Sequence, residues 1–261
     1  MRSPPPPRRP APLSLDTLQA ATAAELQAAF NGEPVEAARW IAAAARYGMV
    51  EAQLLFGQIL LDGRGLPADP VAARGWFRTA ATAGSLAGLN MLGRCHELGW
   101  GGPVDAAAAR DCYARAAEAG YDWAQYNLAA LLWRGAGGPR DAAAALGWYR
   151  RAADQGHAKS LNILARFLEE GWETPADPAA AARLYHRAAE AGDFRGQFNL
   201  GTLLAARGET AAAAQWFRRA ADGSPPGLLA SMADRLAQRP EPELQAIGQA
   251  IARRLAGPVG A

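Results

Sequence analysis

The feature that most constrains this chain is a pattern that returns every 36 residues. Gly48, Gly84, Gly120, Gly156 and Gly192 form one series, and Trp40, Trp76, Cys112, Trp148 and Leu184 form another in the same register. Pro67, Pro103, Pro139 and Pro175 recur at that spacing, each followed two residues on by Asp69, Asp105, Asp141 or Asp177. A fixed period of this length means stacked supersecondary units, each burying its apolar face against the next.

Each unit reads as two helices. Between Tyr121 and Gly156, the residues Ala124, Leu128, Leu131 and Leu132 fall at helical spacing and make one apolar stripe. Gly135, Gly137, Gly138 and Pro139 stop that helix. Asp141 stands where an N-cap belongs, since its carboxylate can accept the free backbone N–H groups of the next turn. In two units Pro70 or Pro178 follows directly, a position where a missing N–H costs nothing. The second helix runs through Ala145, Trp148, Tyr149, Ala152 and Ala153 to Gly156, which can adopt the left-handed conformation that ends a helix. Five alanine pairs, from Ala80-Ala81 to Ala220-Ala221, are expected to be buried where helices approach closely.

The expected architecture is all-α, an α/α solenoid of a dozen or more helices without strands. Residues 1–12, almost all Pro and Arg, read as an extended, solvated tail with polyproline character. Residues 13–48 form a degenerate first unit and cap, with one helix from about Ser14 to Phe30 and a second from Pro34 to Tyr47. Five repeats follow at 49–84, 85–120, 121–156, 157–192 and 193–223. In the last, the connection has shrunk to Arg207-Gly208-Glu209, and Thr210 is expected to cap the second helix. Residues 224–261 supply capping helices, the final one carrying Leu244, Ile247, Ile251 and Leu255 on one face.

Composition excludes several classes. Two cysteines in 261 residues are too few for a small disulfide scaffold, and a net charge of +2 argues against a polyanion as main partner. No apolar run approaches the roughly 20 residues that span a bilayer, and the N-terminus lacks the apolar core of a signal peptide. A soluble, cytoplasmic monomer is the expectation, with no nucleic acid and no membrane insertion.

The motifs A-Q-Y-N-L at 124–128 and G-Q-F-N-L-G at 196–201, with the recurrent D-x-x-x-A and W-[FY]-R-R-A-A, closely resemble the Sel-one-like repeat family, relatives of the tetratricopeptide repeats. The resemblance covers residues 35–223. It implies a right-handed α/α superhelix and a non-catalytic adaptor for other proteins, often in bacterial signalling, envelope stress or motility. One branch of that family carries a cysteine pair in nearly every repeat and is associated with β-lactam binding. This chain lacks those pairs, and that activity is not carried over.

Chemistry-bearing residues are sparse. His96, His157 and His186 occupy different repeat positions without metal-ligand spacing, so neither a metal nor a cofactor is expected. Cys95 and Cys112 stand at apolar positions and read as buried packing residues. Arg115, Arg151, Arg187 and Arg219 each have an acid three residues on, which suggests local ion pairs on a solvated face.

What remains is the first-helix face opposite the core stripe, which lines the concave groove in tetratricopeptide-like arrays. In the central repeat it carries Trp123, Tyr126 and Trp133. Flanking repeats place Asn90, Arg94, Lys159, Asn162, Arg166 and Phe198 there, with Arg134 beside Trp133. Aromatic anchors ringed by cations suit a protein or acidic peptide segment with one apolar side chain. No residue is assigned a catalytic role. The alternative is a hydrolase or binder acting on peptidoglycan-like or β-lactam ligands, which would need an acid and a base clustered beside a deep pocket.

Overall fold

The computed structural model describes residues 13–257. The proline-rich tail expected at 1–12 and the last four residues lie outside them. Fifteen helices and no strand make up the described residues, so the chain is an all-α helix-pair repeat protein of the solenoid class. It divides into two compact units between Tyr121 and Asp122.

The first unit holds α1 (Leu15–Ala20), α2 (Ala23–Asn31), α3 (Pro34–Arg46), α4 (Val50–Asp62), α5 (Pro70–Thr82), α6 (Leu86–Leu98) and α7 (Ala106–Glu118). The single helix expected over Ser14–Phe30 is two helices. Thr22 and Glu25 form a reciprocal capping box: Thr22 Oγ1 accepts from the Glu25 N–H at 3.2 Å, and Glu25 Oε2 accepts from the Thr22 N–H at 2.8 Å. That exchange satisfies two otherwise orphaned donors and starts a new helix inside the apolar run.

The second unit holds α8 (Asp122–Arg134), α9 (Ala142–Asp154), α10 (Ala158–Glu170), α11 (Pro178–Glu190), α12 (Phe194–Ala206), α13 (Thr210–Gly223), α14 (Pro226–Ala237) and α15 (Pro242–Ala256). The stripe of α8 is buried as its spacing requires, with Ala124, Leu128, Leu131 and Leu132 all at 4% exposure or less. α14 and α15 lay Leu229, Met232, Leu236, Leu244, Ile247 and Ile251 over Phe198, Phe217 and the alanines of α13, forming one buried cluster.

One residue per repeat joins the two helices of a pair. The carboxylates of Asp69, Asp105, Asp141 and Asp177 accept from Ala72, Ala108, Ala144 and Ala180 N–H groups at 2.8 to 2.9 Å. Their own N–H groups donate back to Leu60, His96, Leu132 and Leu168 carbonyls, which are free at the end of the preceding helix. The shortened connection keeps only the backbone half of this clasp, the Glu209 N–H donating to the Leu204 carbonyl at 3.0 Å. Thr210 does not cap α13; it is already the first helical residue, and Glu209 takes the cap position without a side-chain bond. Each second helix of the full repeats ends two residues before a glycine with φ between 85° and 92°, a region that a side chain would strain.

The alanine pairs are buried except Ala81, which is half-buried. Cys95 is fully buried and Cys112 is 6% exposed; burial pushes the Cys95 thiol up to about 11 and raises Cys112 as well. The arginine series does not make the expected i,i+3 pairs. Arg115 bonds back to Asp111, Arg187 reaches the Ala153 carbonyl, and Arg151 and Arg219 lie over the rings of Trp148 and Trp216 one turn earlier. A guanidinium over an adjacent indole gains the ring's negative face while staying wet.

Candidate functional site

Four of the ten residues singled out above come together in the second unit. Tyr126 of α8, Asn162 and Arg166 of α10 and Phe198 of α12 line a hollow of about 620 Å³. α14 closes its far side with Leu228, Ser231, Met232 and Arg235. Arg166, Arg195 and Arg235 bring three guanidinium groups from three helices, against the carboxylates of Glu169 and Glu170. The Tyr185 hydroxyl donates to Glu169 at 2.6 Å, so that carboxylate is already engaged.

The hollow is less open than a free helix face would be. Asn162 is 3% exposed and accepts from Asn199 Nδ2 at 2.8 Å, linking α10 to α12. Phe198 is 7% exposed and belongs to the core cluster, because α14 and the Phe217 ring 5.1 Å away cover it. Arg235 lies over its ring at 4.6 Å. Asn162 and Phe198 therefore serve packing and lining together.

Trp123 and Lys159 line a second, smaller hollow of about 170 Å³ with His157, Asp193 and Phe194, where α8, α10 and α12 begin. Trp123 is 41% exposed, and the Lys159 ammonium stands 4.9 Å from its ring and 5.9 Å from that of Tyr126. Lys159 thus sits between the two hollows. Trp133 is not on a free face: its indole leans on buried Phe167 at 4.9 Å and stacks on Trp172 at 5.6 Å, with the Arg140 guanidinium over it. Arg134 is exposed, and its Nε donates to the Ala130 carbonyl one turn earlier. Asn90 and Arg94 belong to the first unit, where Asn90 is 5% exposed and Arg94 lies over Trp100 at 4.8 Å.

His157, which the sequence marks only as an isolated histidine, caps α10. Its Nδ1 accepts from the Ser160 N–H at 3.3 Å, which requires that nitrogen to be unprotonated and assigns the proton of the neutral ring to Nε2. The ring meets Trp123 edge to face at 4.7 Å. Burial holds its pKa below the ordinary histidine value, with Asp122 opposing and Lys159 adding to the effect. An unfolded histidine takes up its proton near pH 6.5 while this one resists, so the unfolded state binds more protons below that pH. Stability is therefore expected to fall as pH drops below about 6.5 and to level off beneath the folded pKa. His96, also lowered by burial and by Arg74, contributes with the same sign. Urea midpoints at pH 7.5 and 5.5 check this: His157→Asn, which keeps a capping side chain, should show a smaller acid loss than the parent chain. An unchanged loss would exclude His157 as a source of it.

Among the described residues, no three His, Cys, Asp or Glu side chains gather where they could hold a metal ion, and no helix is long and apolar enough to cross a membrane.

Helix pairs clasped by a capping aspartate and ended by a left-handed glycine define an α/α repeat protein. The Sel1 repeat matches residues 50–85, 86–121, 124–157, 158–193 and 195–225, and the chain belongs to that family. Sel1 repeats generally mediate protein–protein interaction, and proteins built from them are typically non-catalytic scaffolds. No curated protein matches the chain significantly in sequence. Among solved structures, a Sel1 repeat protein from Oxalobacter formigenes is 23% identical with a TM-score of 0.73, the match covering 88% of this chain and 99% of that one. The protective antigen c5321 of uropathogenic Escherichia coli, described as having an SLR fold, is 24% identical with a TM-score of 0.63 over 89% of this chain. This chain spans only 52% of that antigen. The immunity protein Pa5087 from Pseudomonas aeruginosa is 14% identical with a TM-score of 0.56, over 79% of this chain and 80% of that one. At these identities the likeness is one of fold.

Proposed function

We propose that this chain is a non-catalytic interaction module that holds an acidic peptide segment of a partner protein in the larger hollow, with an apolar side chain of the same segment against Trp123. One observation carries the reading: Arg166, Arg195 and Arg235 converge from three helices on a floor that includes Phe198, Leu228 and Met232. Guanidinium groups recognise carboxylates through directed, charge-assisted hydrogen bonds, and the apolar floor supplies area to desolvate. Glu169 and Glu170 are fewer than the arginines they face, and Glu169 is committed to Tyr185. A hydrolase would need an acid and a base converging on one point. The pairing of Glu169 with a tyrosine hydroxyl supports a structural role for that carboxylate instead.

Selection of random displayed peptides on the immobilised chain tests the reading. Sequences enriched in Asp and Glu beside one Leu, Met or Phe are expected, competing with one another for a single site. Enrichment of neutral or basic sequences would argue against it.

A further inference from the structure

His157 caps a first helix, and the same place in two other repeats is held by Ser85 and Asp193. Those two cap with an oxygen: Ser85 Oγ accepts from the Gly88 N–H at 3.1 Å, and Asp193 Oδ2 accepts from the Gly196 N–H at 2.7 Å. Serine and aspartate are preferred at a helix start because one such oxygen suffices. His157 caps with Nδ1 instead, and its ring brings a second nitrogen that the cap does not use. That nitrogen, Nε2, holds the proton of the neutral ring and is buried without a hydrogen-bond partner. A buried donor left unmade is costly, and a serine cap would avoid the cost.

The imidazole forms part of the wall of the smaller hollow, with Trp123, Lys159, Asp193 and Phe194. Two rings cover it, Trp123 edge to face at 4.7 Å and Tyr126 at 5.1 Å. An aromatic face is a weak substitute for an oxygen acceptor. Trp123 is 41% exposed, so it is the cover that can turn aside, and exposed side chains change rotamer within nanoseconds. The acceptor that suits this wall is neutral. Asp193 is 4% exposed, so an anion in the hollow would meet a buried carboxylate, and Lys159 already acts on that carboxylate in favour of its charge. An amide carbonyl accepts a hydrogen bond and brings no charge.

We propose that the smaller hollow is a backbone subsite: with the Trp123 indole turned aside, the His157 Nε2–H donates to the main-chain carbonyl of the ligand residue whose apolar side chain rests on Trp123. That residue is held twice, by its side chain and by its carbonyl, at a place the arginines of the larger hollow do not form. The inference rests on the peptide reading above and assigns one of its contacts to one atom.

The probe is fluorescein-labelled Glu-Glu-Glu-Glu-Leu-Gly amide, with a twin whose Leu–Gly bond is an (E)-alkene, which keeps the shape of the peptide unit and has no carbonyl. The parent chain should bind the twin about fivefold or more weakly, the loss of one hydrogen bond together with the return of a buried, unpaired donor. His157→Ser keeps an oxygen cap of the kind Ser85 gives α6, and its helix content by circular dichroism should match the parent. It should bind the two peptides alike, within about twofold, because the donor is gone. His157→Asn, another capping residue, makes the same comparison if the serine variant does not fold. In a proton–nitrogen correlation spectrum of the parent, the amide peptide should shift the His157 Nε2 resonance more than the alkene twin does. Equal binding of both peptides to the parent, or the same alkene penalty in parent and variants, overturns the subsite. Arg166→Glu with Arg235→Glu separates the two readings. If that pair abolishes binding while the parent treats both peptides alike, the subsite falls alone. If the pair changes nothing while the His157 comparison holds, the acidic reading falls and the subsite stands; if the parent binds neither peptide, both fall.

Discussion

Arg166→Glu combined with Arg235→Glu is expected to weaken binding of an acidic peptide by about 100-fold or more. Each change replaces an attraction with a repulsion, and close interfacial charge pairs couple by about 1.5 kcal/mol or more, so two of them approach 3 kcal/mol. The fold should survive. Both side chains are exposed, and their local contacts are stacks over Trp172 and Phe198, worth about 0.5–1 kcal/mol each at such sites. Fluorescence anisotropy against a glutamate peptide measures the loss, and the parent affinity should decline with added salt. The reversed variant should gain affinity for the corresponding lysine peptide. Equal affinities of parent and variant for the glutamate peptide would remove the hollow from consideration as an acidic-segment site.

The second large effect is on stability. Phe167→Ala removes a ring that is 1% exposed and lies within 6 Å, centroid to centroid, of Trp133, Tyr149 and Trp172. Truncating a buried phenylalanine costs about 3–5 kcal/mol, the transfer of its surface plus the cavity left behind. Against a total stability of about 5–15 kcal/mol, that is enough to leave the unit partly unfolded at ordinary temperature. Urea denaturation followed by tryptophan fluorescence reports it directly, since two of the three neighbours are indoles. A cost under about 1 kcal/mol would show that the aromatic layer collapses into the gap. The same layer makes Trp133 a brace as well as a surface group. Truncating it together with Trp123 would mix lost packing with lost binding, and the exposed Trp123 is the cleaner probe of ligand contact.

Much of the architecture was legible in the residues because the signals that set it are local. Asp141 caps α9 through an N–H three residues away, and Gly156 ends the pair because a left-handed residue needs no Cβ. Such choices act over one or two turns, and a period of 36 repeats them in register. Where a local signal competed with the pattern, the sequence reading slipped. The Thr22 and Glu25 box divided a run read as one helix, and after the three-residue connection Thr210 is already the first helical residue, which leaves the cap position to Glu209 without a side-chain bond.

The candidate site was legible only in part, and for a physical reason. Helical spacing placed Trp123, Tyr126 and Arg166 off the core stripe, as the structure shows, because that question depends on one helix alone. Whether a side chain off the stripe is free depends on what arrives beside it. Asn162 is closed by Asn199, Phe198 by α14, and Trp133 by a tryptophan on the connection after α10. Arg235 lies outside the repeats altogether, and no periodicity could have brought it to the hollow. The sequence by itself determined the helix pairs, their caps and their buried faces, since each follows from neighbours within a turn or from a repeating stripe. The tertiary structure alone decided which side chains share a hollow and which of them are closed by a neighbour, because those facts arise between helices that are distant in the chain.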